Sequence, residues 1–368
     1  MELRKSVRPE VLDFKPYTPG LSIDEIRDRY GLNQVIKMAS NENPLGTSPV
    51  VQEVLARKAG SAFRYAQAGN PALRAALGRF LSVDPEMIVA GNGSDEIIDL
   101  LIRIKARPGV DNIVAFCPCF SIYALQAGLC GVELRQAPLG EDMRPDWDGL
   151  LALVDEHTAL VFVTSPDNPS GYAAPVQELR ALQKQLPEQA LLVVDEAYIE
   201  FADPVENHTV LPLLKNGADL VVLRTFSKMF GLAGLRLGYG IMPAWLADLM
   251  LRVRLPFSVN ILAEEAGMAV LRDKEFQERT LQVTRQGRTE LTRGLEQCNC
   301  RVLSSQANFL MFQPPCPADD LFQALLEQGI IIRPLKSYDR PDWLRVSVGN
   351  ERENRQFLEA VQEVLRGK

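Results

Sequence analysis

Lys228 stands in RTFSKMFGLAGLRLGYG, residues 224–240, next to a hydroxyl residue and a glycine-punctuated apolar run, with Arg236 eight positions on. A lysine in such a setting either snorkels at a surface or acts as an amine nucleophile, because desolvation lowers the ammonium pKa and frees the amine. In LLVVDEAYIEF an apolar run ends at Asp195, and Tyr198 follows at helical spacing. A carboxylate closing a buried strand is costly unless it faces a cation or a donor. FVTSPDNPSG holds Asn168 between two prolines, whose stiff backbone would aim its amide in a fixed direction. IVAGNGSDEIIDLL reads as strand, glycine turn and helix start, so the amides of Gly93, Ser94 and Asp95 would point at an anion, the helix N-terminus behind them. A plain capping turn closed by Ser94 or Asp95 is the simpler alternative. A dinucleotide fingerprint fails on spacing, since Glu96 stands where the third glycine after Gly91 and Gly93 belongs. An amine nucleophile, a carboxylate able to keep a pyridinium protonated, phenol and amide donors and an anion cradle are together what pyridoxal phosphate requires.

Those residues need a scaffold that brings them to one place. The apolar runs MIVAG, NIVAFC, ALVFVTS, ALLVVDEA and LVVLRTFS alternate with helical patterns such as SDEIIDLLIRIKA and FSIYALQAGLC. That alternation predicts an α/β fold with a mostly parallel sheet covered by helices on both faces. Four of the strands deliver the polar residues at or just past their C-terminal ends, the edge at which open α/β sheets bind ligands. The expected organisation is an N-terminal arm over 1–44, a large domain over 45–272 and a small domain over 273–368. The small domain opens with the charged helical stretch DKEFQERTLQVTRQGRTELTRGLEQC and continues through short strands (CRVLSS, ANFLMFQ, GIIIRPL, WLRVSVG) and two helices.

A chain of 368 residues with 46% hydrophobic and 24% charged residues has room for two cooperating domains. The net charge of -7 is spread along the chain, which argues against nucleic-acid or anionic-membrane partners. The first residues lack the apolar core of a signal peptide, and no apolar run reaches the roughly 20 residues that span a bilayer, so a cytoplasmic location is expected. Six cysteines without a secretory signal read as reduced thiols, and the C-x-C spacing of Cys117 with Cys119 and Cys298 with Cys300 is not that of a usual zinc site; no metal is expected. His157 and His208 fall in polar segments expected to be exposed, which leaves histidine chemistry poorly supplied.

In order along the chain, YTPGLSIDEIRDRYGL, KMASNENPLG, FRYAQAGNPALRAAL, GNGSDEII, PCFSIY, DNPSG, VVDEAYIEF, RTFSKMFGLAGLRLGYG, LPFSVN, QANFLMF, IIRPL and LRVSVG match a family pattern. The chain resembles the fold-type I pyridoxal-phosphate aminotransferases, and specifically the histidinol-phosphate aminotransferase family. The resemblance implies a large domain with a mostly parallel seven-stranded sheet and a smaller α/β domain built from the N- and C-terminal segments. It implies that Lys228 binds the cofactor aldehyde covalently, that Asp195 pairs with the pyridine nitrogen, and that Asn168 and Tyr198 donate to the ring oxygen. Gly93 and Ser94 would hold the cofactor phosphate with Ser227 and Arg236, Asp95 and Thr225 would also bind the cofactor, and Phe120 would stack on the ring. Tyr65 would reach the phosphate from a neighbouring subunit, making a homodimer with shared sites. Arg345 matches the substrate-carboxylate arginine, and Tyr17, Asn41, Asn168, Asn308 and Arg333 would line the substrate pocket.

Two departures stand out. The usual N-P-N-N-P-T-G is Ser165-Pro-Asp-Asn-Pro-Ser-Gly here, and Phe120 replaces a common tyrosine, losing a hydroxyl and keeping the aromatic face. The implied reaction is transamination between histidinol phosphate and 2-oxoglutarate. Aromatic donors and a threonine-phosphate decarboxylase are the alternatives that the same motifs admit. A non-enzymatic regulator on this fold would need an added DNA-binding domain, whereas the pattern begins almost at residue 1.

Overall fold

The structure, a computed structural model, describes residues 2–12, 14 and 20–366. Among the described residues, thirteen strands form three sheets. The largest contains β2 (Ile88–Gly91), β3 (Asn112–Cys117), β4 (Glu133–Pro138), β5 (Thr158–Thr164), β6 (Leu191–Asp195), β7 (Leu220–Thr225) and β8 (Gly238–Ile241), in the order β2-β8-β7-β6-β5-β3-β4. Only β8 runs against its neighbours, pairing antiparallel with both β2 and β7. The other six point the same way, so their C-terminal ends gather on one edge.

The unbroken apolar runs of β5, β6 and β7 follow from burial on both faces. Alternate residues feed two separate cores. Val161, Val163, Leu192, Val194, Leu220 and Val222 join one, with Leu73 and Leu77 of helix Pro71–Leu81 and Ala266 of helix Ile261–Val270. Leu160, Phe162, Leu191, Val193, Val221 and Leu223 join the other, with Ile97, Ile98 and Leu101 of helix Ser94–Lys105 and Tyr123 of helix Ile122–Cys130. Period-two alternation therefore puts Thr164, Asp195 and Thr225 on the second face, each two residues after the last apolar residue of that face, Phe162, Val193 and Leu223.

A second, antiparallel sheet has the order β12-β13-β10-β9, from β9 (Arg301–Val302), β10 (Phe309–Gln313), β12 (Arg333–Pro334) and β13 (Leu344–Ser347). Its core takes Leu310, Phe312, Leu344 and Val346 from the strands and Leu321, Leu325, Phe357 and Val361 from helices Ala318–Glu327 and Glu351–Arg366. The third sheet joins β1 (Ile36–Lys37) in parallel to β11 (Ile330–Ile331), tying the N-terminal segment to this smaller unit. The long helix Lys274–Gln297 adds Leu291 and Leu295 to the same core. No helix among the described residues is long and apolar enough to cross a membrane.

Two details differ from the sequence expectation. Tyr198 does not ride on an α-helix; it precedes the single 3₁₀ turn Ile199–Phe201. His208 is half buried, its Nδ1 3.1 Å from the Ala174 carbonyl oxygen.

Candidate active site

A cavity of about 280 Å³ opens over the C-terminal edge of the large sheet, with the smaller unit forming its other wall. From the large sheet come Gly93, Ser94, Asp95, Phe120, Asn168, Asp195, Tyr198, Thr225, Ser227, Lys228 and Arg236; from the other side come Asn41, Arg333 and Arg345. The sequence-selected residues are thus brought together with three exceptions. Tyr17 lies outside the described residues. Asn308 is buried behind the wall, where its amide donates to the Asn41 carbonyl at 3.0 Å. Tyr65 is 80% exposed and stacks on Phe257 with ring centroids 4.7 Å apart, away from this chain's own cavity.

Lys228 follows β7 on a tight loop in which the Ser227 amide donates to Thr225 Oγ1 at 3.0 Å. Its Nζ donates to the Ser40 carbonyl at 3.1 Å and lies 5.6 Å from the centre of the Tyr198 ring. Burial, reinforced by the positive charges of Arg345 and Arg236, lowers its pKa to about 8, while Glu42 and Asp95 oppose the shift. That is an amine within reach of its neutral form near physiological pH.

Adjacent carboxylates in the DEAY segment have opposite fates. Glu196 is fully buried and forms an ion pair with Arg224 at 2.8 Å, and it also accepts from the Val210 amide at 2.7 Å. Asp195 is buried on the other face of the sheet and forms no ion pair among the described residues. It accepts from the Tyr123 hydroxyl at 2.8 Å and from the Ala197 amide at 3.2 Å. Burial nonetheless raises its pKa to about 6, with the charges of Asp95 and Glu196 adding to the rise. A cation placed against it would reverse that.

The helix Ser94–Lys105 begins after Gly93, and no side chain caps its first turn. The N-cap is Gly93 rather than Ser94 or Asp95, which sets the capping-turn alternative aside, and all three residues line the cavity at the helix N-terminus. Gly93 has φ +77, and a Cβ there would lie 2.6 Å from Arg236 Nη2; a Cβ on Gly238 would lie 2.3 Å from the Ser94 amide nitrogen. The two glycines let a guanidinium and a helix terminus close on one small volume. Arg236 Nη2 also donates to Asp95 Oδ2 at 3.1 Å.

On the facing wall, Arg333 and Arg345 are register partners on β12 and β13, so both side chains leave the same face of that sheet. Arg345 is buried, donates from Nη1 to Asn168 Oδ1 and from Nη2 to the Ala39 carbonyl at 2.8 Å, and leaves Nε without a partner. It forms no ion pair among the described residues, which leaves a buried guanidinium with capacity for an incoming carboxylate. Asn41 links the walls: its amide Nδ2 donates to the Tyr198 hydroxyl at 3.1 Å, and its Oδ1 accepts from Ser347 at 2.9 Å.

The model for aminotransferase class I and II matches residues 33–361. The histidinol-phosphate aminotransferase of Nitratidesulfovibrio vulgaris strain Hildenborough is 63% identical over 359 residues, covering 98% of this chain and 96% of that protein. The chain belongs to the class I and II aminotransferases, within the histidinol-phosphate aminotransferase family. A Shouchella clausii histidinol-phosphate aminotransferase is 40% identical over 97% of each chain. The histidinol-phosphate aminotransferase of Sinorhizobium meliloti, solved in complex with pyridoxal-5'-phosphate, superposes on this aminotransferase with TM-score 0.87 and 26% identity, covering 98% of both chains.

The family implies pyridoxal phosphate, and this aminotransferase has the donor set for it. A buried carboxylate without a cation suits a protonated pyridine nitrogen. An uncapped helix terminus beside a guanidinium suits a phosphate, and a lysine of lowered pKa suits an aldehyde. Sequence reasoning left out Ser40, Glu42 and Thr164 of the lining, and Tyr123 beneath it. Tyr123 lies within the quoted PCFSIY motif, but the apolar helix around it reads as core.

Proposed function

We propose that the enzyme transfers the amino group of histidinol phosphate to 2-oxoglutarate, giving imidazole acetol phosphate and glutamate in histidine biosynthesis. The 63% identity to a histidinol-phosphate aminotransferase across 98% of the chain carries this reading. Pyridoxal phosphate supplies an aldehyde for amine exchange and a ring that accepts electron density from the α-carbon of a bound amino acid. Lys228 would hold the cofactor by its aldehyde, and its free amine would move the proton at the substrate α-carbon. Asp195 keeps the proton on the ring nitrogen, while Asn168 and Tyr198 donate to the ring oxygen. The amides of Gly93, Ser94 and Asp95 hold the phosphate with Thr225, Ser227 and Arg236, and Phe120 covers the ring face. Arg345 takes the substrate carboxylate. Arg333, Asn41 and Tyr17 shape the rest of the pocket, Asn308 supports it from behind by holding the Asn41 backbone, and two substrates use the one site in turn.

The same reading has the protein as a cytoplasmic homodimer in which Tyr65 serves the partner's site. Its organisation is an arm over 1–44, a large domain over 45–272 and a small domain over 273–368. Phe63, Tyr65 and Leu255 support the dimer: they are 78%, 80% and 72% exposed, a costly apolar surface if nothing covers it.

The test is a substrate panel with 2-oxoglutarate as acceptor, scored for keto product and carbon dioxide. Histidinol phosphate should exceed phenylalanine, tyrosine and threonine phosphate in kcat/KM by about 10-fold or more, the low end of what differential pocket contacts supply. An aromatic donor in first place would overturn the substrate and leave the class. Carbon dioxide from threonine phosphate would overturn the reaction.

A further inference from the structure

Thr164 ends β5 and Asp195 ends β6, and the two are register partners on adjacent parallel strands. Tyr123 reaches across both from helix Ile122–Cys130. Its hydroxyl is 2.8 Å from Asp195 Oδ2 and 2.9 Å from Thr164 Oγ1. An ionised carboxylate accepts only, so the phenol proton is committed to Asp195 and the phenol oxygen is left to accept from Thr164. The hydroxyls then form one directed chain, Thr164 to Tyr123 to Asp195. The tyrosine cannot swing away. It is fully buried, stacked on Phe162 at 4.6 Å with 20° between the rings, and edge-on to Phe120 at 5.9 Å.

We propose that Tyr123 is a positioning residue for the transamination: with Thr164 behind it, it orients the Asp195 carboxylate and keeps it in the charged form that holds the ring nitrogen protonated. This rests on the assignment of Asp195 to the pyridine nitrogen. Among the other titratable groups around Asp195, Asp95 from the helix Ser94–Lys105 and Glu196, the residue after β6, disfavour its charge, and the Tyr198 phenol feels that charge in turn. Around the tyrosine itself, Cys119 also disfavours loss of the phenol proton. Among the described residues, the phenol and the Ala197 amide are the donors to this carboxylate, and the phenol is the side chain of the two. The same ring also props Phe120, so one residue sets both the floor and the proton partner of the cofactor ring.

The experiment is a double-mutant cycle on the holoenzyme with Tyr123→Phe and Asp195→Asn, reading the dissociation constant for pyridoxal phosphate and the rate of a single half-reaction. Phenylalanine preserves the stack on Phe162 and removes only the hydroxyl. In the wild-type background Tyr123→Phe should cost about 10-fold in half-reaction rate, the scale of a hydrogen bond to a charged group. It should also weaken cofactor binding. In the Asp195→Asn background it should cost less than about 2-fold in either quantity, since no carboxylate remains to be kept charged. Thr164→Val should reproduce part of the loss and Thr164→Ser should restore it, which keeps the test intact should Tyr123→Phe fold poorly. Equal losses in both backgrounds, or none in the wild type, would overturn the proposal and leave the site as assigned. If Asp195→Asn alone left both quantities unchanged, the Asp195 assignment would fall and the role of Tyr123 with it.

Discussion

Burial displaces both Lys228 and Asp195 toward their neutral forms; the chemistry exploits the shift at the lysine, and at Asp195 it is opposed by the donors that hold the carboxylate charged. A lysine with its usual pKa of 10.5 would be almost entirely ammonium at neutral pH and unable to attack an aldehyde; at about 8 a useful fraction is free amine. The folded value is lowered, so the neutral amine gains population as pH rises through about 8, some units earlier than for a solvated lysine. Covalent capture of pyridoxal phosphate by the cofactor-free protein, followed by visible absorbance, should therefore accelerate through about pH 8 and level off above it. Arg345 is the second cause after desolvation, so Arg345→Gln should move that midpoint upward without carrying it back to 10.5. A wild-type midpoint at the ordinary lysine value would mean that Lys228 is solvated and that the arginines do not reach it.

The sheet edge turns isolated residues into a site, and the turn after β2 shows how little room it has. Gly93 adopts φ +77 and lies against Arg236, so Gly93→Ala meets both backbone strain and a Cβ 2.6 Å from the guanidinium. The arginine is the flexible partner and should yield, leaving the phosphate position. We expect the fold to survive and the dissociation constant for pyridoxal phosphate to rise about 10-fold or more, the scale of one lost charge-assisted hydrogen bond. Gly31→Ala is the control: φ is +63 at a helix end with nothing within 4 Å of the new Cβ, so it should lower Tm while cofactor affinity stays put. Matching losses of affinity in the two variants would show that strain alone is responsible. The elements that carry this edge were legible because strands buried on both faces read as continuous apolar runs. β4 was not, since as an edge strand it is largely exposed and its ELRQAP reads as polar; nor was β8, whose GYGI is short and half glycine. Residues with charge in apolar surroundings, such as Lys228 and Asp195, announced themselves. Tyr123 did not, because a phenol in an apolar helix looks like core until its hydroxyl is seen against Asp195. Asn308 carried the right amide but packs behind the wall, a depth that no motif encodes.

At the scale of the whole molecule, Tyr65 separates a one-chain site from a shared one. It stacks on Phe257, and Phe63, two residues before it, and Leu255 and Val253, shortly before Phe257 in the chain, are also exposed apolar side chains. A monomer would leave those side chains in water, whereas a two-fold partner would bury them and could carry Tyr65 to the other subunit's phosphate site. The decisive experiment mixes Lys228→Ala with Tyr65→Ala after reversible dissociation, at limiting cofactor. If each site takes its lysine from one subunit and its tyrosine from the other, a hybrid dimer has one site with both lesions and one with neither. Random pairing makes half of the dimers hybrid, so activity should recover to about a quarter of wild-type sites from two nearly inactive parents. Light scattering of the untreated enzyme should give twice the mass of the 40.9 kDa chain. Hybrids confirmed by mass yet no more active than their parents would place Tyr65 and Lys228 in the service of the same subunit, and the exposed aromatic surface would then need a different partner.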